Sequence, residues 1–297
     1  MSEANSKNID EIQAENRQIL EEKQKLIDNA PFEHLKIDDA SCLETIESRE
    51  ICGKCFKSRK FFCYTCYTPV IDEKYLPRIK LPIKIDIIKH AREIDGKSTA
   101  AHAAVLAPED VKIYIYPEFP EISKDEKVVL IFPSKNAMSI EDLFKEKKDE
   151  DGQVVFETIK NQFPVTRAIF IDSTWHQTKS IYKDQRLRDL PCVVLKSRIS
   201  QFWRHQKNSP RWYLATIEAL HQFLLELHTN AFGIIENYVK PETDVSKTSK
   251  TVTTESDLYG PYNGQYDNLL YFFKFMYETI HRYYDHEKLW AYKRPLI

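Results

Sequence analysis

Apolar positions along the chain fall into five short runs and a few longer ridges, with charged stretches between them. The runs LPIKIDIIK (81–89), VKIYIYP (111–117), EKVVLIFP (126–133), TRAIFID (166–172) and PCVVLK (191–196) are rich in β-branched residues and have strand length. Helical pattern lies between and after them. AAHAAVLA (100–107) is short, RWYLATIEALHQFLLELHT (211–229) is long and amphipathic, and YDNLLYFFKFMYETIHRYY (266–284) carries a ridge of Leu269, Leu270, Phe272, Phe273, Met276 and Ile280. Strands alternating with helices predict an α/β domain with a mainly parallel sheet, spanning 81–290. Charged or Ser/Thr/Lys-rich stretches at 141–153 and 240–264 read as surface insertions, the second separating two helices that pack together. Residues 1–45 read as a polar, mobile tail, dispensable for chemistry, because their apolar residues are too sparse for a firm stripe.

At 297 residues the chain can bury one full core and a small appendage. No stretch approaches the roughly 18 apolar residues of a membrane span, so a membrane partner is not expected. A net charge of −2 argues against indiscriminate coating of nucleic acid and requires any RNA surface to be local. Residues 1–50 hold 13 acids against 6 bases, whereas 160–212 hold 11 bases against 3 acids. The basic stretch is the place to look for phosphate contacts, since Phe202, Trp203 and Trp212 stand among its charges. A plain solvated face is the alternative.

Cys52, Cys55, Cys63 and Cys66 form two CxxC knuckles in ICGKCFKSRKFFCYTCY, the spacing that supplies four thiolates to a structural zinc ion. A site closed by four thiolates leaves no position for water, so it contributes folding free energy to a module at 46–80. Two disulfides are the alternative. Within the module Lys54, Lys57, Arg59 and Lys60 alternate with Phe56, Phe61, Phe62 and Tyr64, an arrangement suited to phosphates and bases. Cys42 and Cys192 read as unpaired structural thiols.

DGKST (95–99) ends like a phosphate-binding loop, but Ala91 stands where that loop needs a glycine, so triphosphate binding is excluded. With six glycines in the chain there is no dinucleotide fingerprint either. Two strand ends carry polar residues instead: IFPSKNA (131–137) and FIDSTWHQTK (170–179). Ligands gather at the carboxyl edge of parallel sheets, which makes Asp172, Ser173 and Thr174 site candidates. Equally, Asp172 or Ser173 suits the N-cap of a following helix. His90, His102, His205 and His221 are scattered and read as structural.

DSTW (172–175) resembles the DxTW signature of the DTW-domain family, the tRNA-uridine aminocarboxypropyltransferases. FPS (132–134), Thr216, Glu218 and Ala219 of TIEAL, FWRHQ (202–206), QYDNLLYFF (265–273) and the cysteine knuckles also resemble that family, in its order. Together they cover about residues 50–285, and the similarity is greatest to the eukaryotic type-1 branch. The resemblance implies a knot-related α/β fold like that of the SPOUT RNA methyltransferases. It also implies transfer of the 3-amino-3-carboxypropyl group of S-adenosylmethionine to N3 of a uridine in the dihydrouridine loop of tRNA, leaving methylthioadenosine. By the same comparison Asp172 is the base or N3–H acceptor. Phe132, Pro133, Ser134, Ser173, Thr174, Trp175, Thr216, Glu218 and Ala219 line the cofactor pocket, with Glu218 near the cofactor's ammonium or on the helix surface. The RNA side takes Lys54, Lys57, Arg59, Lys60, Lys179, Lys183, Arg198, Trp203, Arg204 and His205, with Arg204 on phosphate and Trp203 stacking or packing. A nuclear location, with the cytoplasm as an additional one, follows from the resemblance, and no obligate protein partner does. An RNA methyltransferase using the same cofactor, and a non-catalytic zinc-stapled RNA-binding or assembly factor, are the competing readings.

Overall fold

All five expected strands form in the computed structural model, which describes residues 21–145, 147–148, 154–156, 159–207, 209–236, 238 and 250–296. β1 (Glu50–Ile51), β2 (Ser58–Arg59), β3 (Phe62–Cys63) and β4 (Thr68–Pro69) make two antiparallel ribbons in the cysteine module. The main sheet contains β5 (Lys84–Lys89), β6 (Val111–Ile115), β7 (Val128–Ile131), β8 (Met138–Ser139), β11 (Arg167–Asp172) and β12 (Cys192–Val194). β9 (Lys147–Lys148), in the charged excursion, pairs antiparallel with β10 (Val154–Phe156) just after it; 146 and 149–153 of the excursion lie outside the described residues. In the sheet the order is β6-β5-β11-β7-β12-β8, and each neighbouring pair is parallel. Late strands are interleaved with early ones, β11 between β5 and β7 and β12 between β7 and β8. β8 escaped the sequence reading because two residues carry no periodicity.

The helices are α1 (21–29), α2 (Ala100–Leu106), α3 (Trp175–Tyr182), α4 (Gln185–Arg188), α5 (Thr216–Phe232) and α6 (Tyr271–Tyr283). Alternation along β11 divides its side chains between two cores. Ala168 and Phe170 join the larger core with α2, α5 and α6, whereas Ile169 joins Ile181 of α3 and Leu187 of α4 on the other face. Burial on both faces is why these strands read as continuous apolar runs. No helix among the described residues is long and apolar enough to cross a membrane.

Three sequence expectations change here. Residues 21–45 are not a free tail, although 1–20 lie outside the described residues: Phe32, Leu35 and Leu43 enter the main core. Asp28 of α1 is buried and paired with Arg211 at 2.7 Å, and it also accepts from Gln24 and Gln201. The sparse apolar positions concealed this, because α1 is held through a buried carboxylate. Second, 250–264 is stitched to the fold although 240–249 lie outside the described residues: Thr251 N–H donates to Asp38 at 2.7 Å, and Leu258 and Tyr262 are buried. Third, α5 starts at Thr216 and not at 211, because the carboxylate of Glu218 accepts from Ala215 N–H at 2.9 Å and defines the helix start. α5 is tied to the short turn that precedes α6, through His221–Asp267 (2.9 Å) and His228–Tyr266 (2.8 Å), where the sequence reading expected a second helix already begun at 266.

Candidate active site

Because the sheet is parallel, β5, β7, β11 and β12 all deliver their carboxyl ends to one edge, and Asp172 stands there as the last residue of β11. Its register partner on β5 is Lys89, whose ammonium is ion-paired with Asp95. Asp172 is 5% exposed. Ser98 Oγ donates to Oδ2 at 2.7 Å and Thr216 Oγ1 to Oδ1 at 2.5 Å, leaving each oxygen a further acceptor position. Burial raises the carboxyl above the ordinary aspartate range, and the two hydroxyls and the Lys89 charge counter this only in part. Glu93 is raised by burial and by the charge of Asp172.

Neither Asp172 nor Ser173 caps the following helix. That position is Thr174, which exchanges bonds with Gln177, while the Ser173 hydroxyl turns to Thr178 at 2.7 Å. Asp172 is therefore free of the capping role. Beyond the cap, Trp175 is 38% exposed and meets Tyr213 at 4.3 Å and Phe132 at 6.5 Å between ring centroids; Phe132 stacks on Tyr182 at 4.1 Å. Ser134 N–H turns back to Phe132 O at 2.9 Å, with Pro133 exposed between them. The edge thus has a wall of rings beside a buried carboxylate.

Glu218 is 1% exposed, which removes the helix-surface reading. Its oxygens accept from Ser200 Oγ (2.6 Å), Gln201 N–H (2.7 Å) and Ala215 N–H (2.9 Å), so the chain's own donors engage it and it organises the loop that ends in FWRHQ. Glu218→Ala leaves those donors without an acceptor and is expected to destabilise the fold by at least about 2 kcal/mol, read from denaturant midpoints. A surface glutamate would stay within about 0.5 kcal/mol. Ala219 is half-buried against the main core.

In the cysteine module the four Sγ atoms lie within 4.8 Å of one another, a group that can hold a metal ion. Thiolates arranged tetrahedrally at about 2.3 Å from a metal stand about 3.8 Å apart, so the donor set fits. The two knuckles repeat one turn: Phe56 N–H donates to Cys52 O at 2.9 Å and Tyr67 N–H to Cys63 O at 2.7 Å, with both residues at left-handed φ (58° and 54°). Their rings diverge. Phe56 is 76% exposed, whereas Tyr67 is raised to about 12 by burial and by the charges of Asp95 and Asp172.

The basic candidates separate. Lys54, Lys57 and Lys60 are exposed on the module, but Arg59 is 7% exposed and stacks on Tyr64 at 3.8 Å, so it serves the module and is withdrawn from the RNA side. Phe61 and Phe62 are core anchors, against Phe275 (5.4 Å) and Phe272 (4.6 Å), and are not available to bases. Trp203 packs on Phe273 at 5.1 Å. Arg198 faces His221 and Gln222, at 3.5 and 3.4 Å. Arg204 is exposed and donates to Gly96 O at 3.4 Å, beside the Ser98 loop, and His205, Lys179 and Lys183 are exposed. Arg167, Arg186, Lys196 and Arg211 hold carboxylates, which reduces the basic stretch as a phosphate surface. Sequence reasoning missed Ser98, because DGKST was read only as a phosphate loop.

The sequence profile of the DTW domain matches residues 60–281, which include the second knuckle, the main sheet and most of α6. The chain belongs to the DTW domain family. It is 40% identical over 260 residues to tRNA-uridine aminocarboxypropyltransferase 1 of Mus musculus, covering 78% of this chain and 77% of the relative. The Homo sapiens protein of the same name is 39% identical over 280 residues (84% of each), and that of Xenopus laevis 37% over 283 (86% and 88%). No solved structure matches. The matched stretch contains every carboxyl-edge residue described above and excludes Cys52 and Cys55.

Proposed function

We propose that this DTW-family chain transfers the 3-amino-3-carboxypropyl group of S-adenosylmethionine to N3 of a uridine in tRNA, and that the carboxyl edge around Asp172 is where it happens. The observation that carries the reading is a buried carboxylate held by two hydroxyls beside a wall of rings, in a chain whose relatives bear the transferase name over most of their length. Rings for an adenine and polar groups for a charged tail suit this co-substrate. When bound, it supplies a sulfonium carbon that bonds to N3 as methylthioadenosine departs. Phe132, Pro133, Ser134, Ser173, Thr174, Trp175 and Ala219 shape the pocket in this reading, which orients one of three sulfonium carbons toward the nucleophile.

Asp172 takes the N3 proton as attack develops. Uracil N3–H is a far weaker acid than an ordinary carboxylic acid, and the burial that raises Asp172 narrows the mismatch. Ser98 and Thr216 fix the carboxylate's orientation through one lone pair on each oxygen. Thr216 acts at the reacting group, and Glu218 acts only by holding the loop and the helix start. Identifying the released nucleoside tests the reaction: methylthioadenosine upholds aminocarboxypropyl transfer, and S-adenosylhomocysteine in its place would make the chain a methyltransferase.

For RNA the reading uses Lys54, Lys57, Lys60 and exposed Phe56 on the module, with Arg204, His205, Lys179 and Lys183 on the domain. Replacing Lys54, Lys57 and Lys60 by alanine is expected to weaken tRNA binding and flatten its log–log salt dependence by about two units, at about 0.7 for each phosphate no longer neutralised. An unchanged slope removes the module from the RNA side. Zinc is the metal assigned to Cys52, Cys55, Cys63 and Cys66, as a structural ion. Its removal by a chelator is expected to lower the melting temperature, and zinc to restore it, because Phe61 and Phe62 tie the module to the main core. The nuclear location implied by the family, with the cytoplasm as a further one, belongs to the same reading.

A further inference from the structure

The loop that carries Ser98 to Asp172 is gripped from the cysteine module. Thr65 lies between Cys63 and Cys66, and its hydroxyl donates to Asp95 Oδ2 at 2.9 Å while accepting from Arg59 Nη2 at 3.2 Å. Arg59 is itself fixed within the module, donating to Tyr64 OH at 3.0 Å and to Ser58 O at 3.2 Å. Asp95 uses its other oxygen for the buried Lys89 ammonium, one strand from Asp172. At the next residue, a side-chain carbon on Gly96 would stand 3.5 Å from the Tyr64 ring, so the backbone there lies along that ring. Lys97 and Ser98 N–H then close a turn on Ile94 O, at 2.8 and 3.2 Å, and Ser98 Oγ reaches Asp172.

We propose that Thr65 is a positioning residue for the transfer reaction, through which the metal-binding knuckle sets the 95–99 loop and with it the Ser98 hydrogen bond that orients Asp172. The proposal rests on Asp172 being the group that meets the uridine. A metal ion closing Cys63 and Cys66 would hold the backbone on both sides of Thr65, so its hydroxyl would present a fixed point to Asp95. The knuckle is then part of the site's geometry as well as of its stability, and the sequence kept the two apart because Thr65 and Asp172 are over 100 positions distant.

The test uses the full chain loaded with zinc, as parent, Thr65→Val and Thr65→Ser, each checked for one metal per chain. Thr65→Val is expected to speed amide exchange at Lys97 and Ser98 by about tenfold or more and to lower kcat by about 10–100-fold, the scale of a displacement near 1 Å. KM for the co-substrate should stay within about twofold. The acid limb of the kcat profile should move to higher pH, because Ser98 no longer favours the ionised carboxylate. Thr65→Ser should restore all three. Should Thr65→Val lose its metal, Asp95→Ala removes the acceptor of the same hydrogen bond from outside the module and is expected to show the same exchange and kcat changes. Parent-like exchange at Lys97 and Ser98 together with parent-like kcat in a metal-replete variant overturns the proposal. If the parent transfers no aminocarboxypropyl group but exchange in the loop still accelerates, the coupling stands and the proposed reaction is what fails.

Discussion

Asp172→Asn is expected to lower the rate of transfer to tRNA by about 10²–10⁴-fold, the usual contribution of a positioned general base. Asparagine keeps the size of the side chain and can still accept from Ser98 or Thr216, but it has no basic oxygen for the N3 proton. Co-substrate and tRNA affinities should change little, so the loss falls on kcat. The pH dependence gives a second check. Activity needs the ionised form, burial raises the carboxyl, and the acid limb of the parent's kcat/KM profile should therefore lie above the ordinary aspartate value of about 3.9. Near-normal turnover in the asparagine variant would remove Asp172 from the chemistry.

Arg211→Ala is expected to have the largest effect on stability, about 3–5 kcal/mol, because it strands the buried carboxylate of Asp28. For a domain of this size that corresponds to roughly 10 °C in melting temperature. Arg211 also ties the site loop together: its Nη2 donates to Ser200 O at 3.2 Å, and Ser200 N–H donates to its carbonyl at 2.8 Å. Ser200 in turn bonds Glu218 at the start of α5, the helix that presents Thr216 to Asp172. Removing α1 should therefore cost activity as well as stability. Replacing Asp28 and Arg211 together with apolar residues of similar volume should recover most of the lost stability. The pH dependence of the pair follows from its sign. Burial alone would raise Asp28, but Arg211, Gln201 and Gln24 outweigh it and leave the carboxyl depressed. The stabilisation is accordingly present above the unfolded aspartate value and lost as pH falls through the lower folded one. A melting temperature for Arg211→Ala equal to the parent's at neutral pH would contradict this assignment.

These two residues mark what the sequence made legible. The strand runs and Asp172 stood out because a fully buried parallel strand is a continuous apolar run, and a carboxylate ending such a run is conspicuous. The cysteine spacing was equally plain. Arg211 looked like one base among eleven in 160–212, and Asp28 like one acid in a polar leader. Only folding places them 2.7 Å apart, across 183 positions. Charge counts along a sequence treat every arginine as available to phosphate, and here Arg59, Arg167, Arg186 and Arg211 are committed elsewhere. Phe61 and Phe62 carried the same ambiguity, since a ring near a lysine has no sequence mark that separates core from base-stacking use. Glu218 was recognised as a family position and its bond to Ala215 is local to the helix start, but its other two donors, Ser200 and Gln201, come from a segment that only the tertiary fold brings to it.

The central claim is that the edge around Asp172 delivers the longer carbon arm of a sulfonium to a uridine of tRNA. The most direct measurement incubates the zinc-loaded chain with tRNA and S-adenosylmethionine carrying distinct labels in its methyl and aminocarboxypropyl groups, followed by nucleoside analysis for parent and Asp172→Asn. The account predicts aminocarboxypropyl label on a uridine with the parent, methyl label only in methylthioadenosine, and little of either on RNA with the variant. Methyl label on RNA, or aminocarboxypropyl label arriving equally well with the variant, would contradict it.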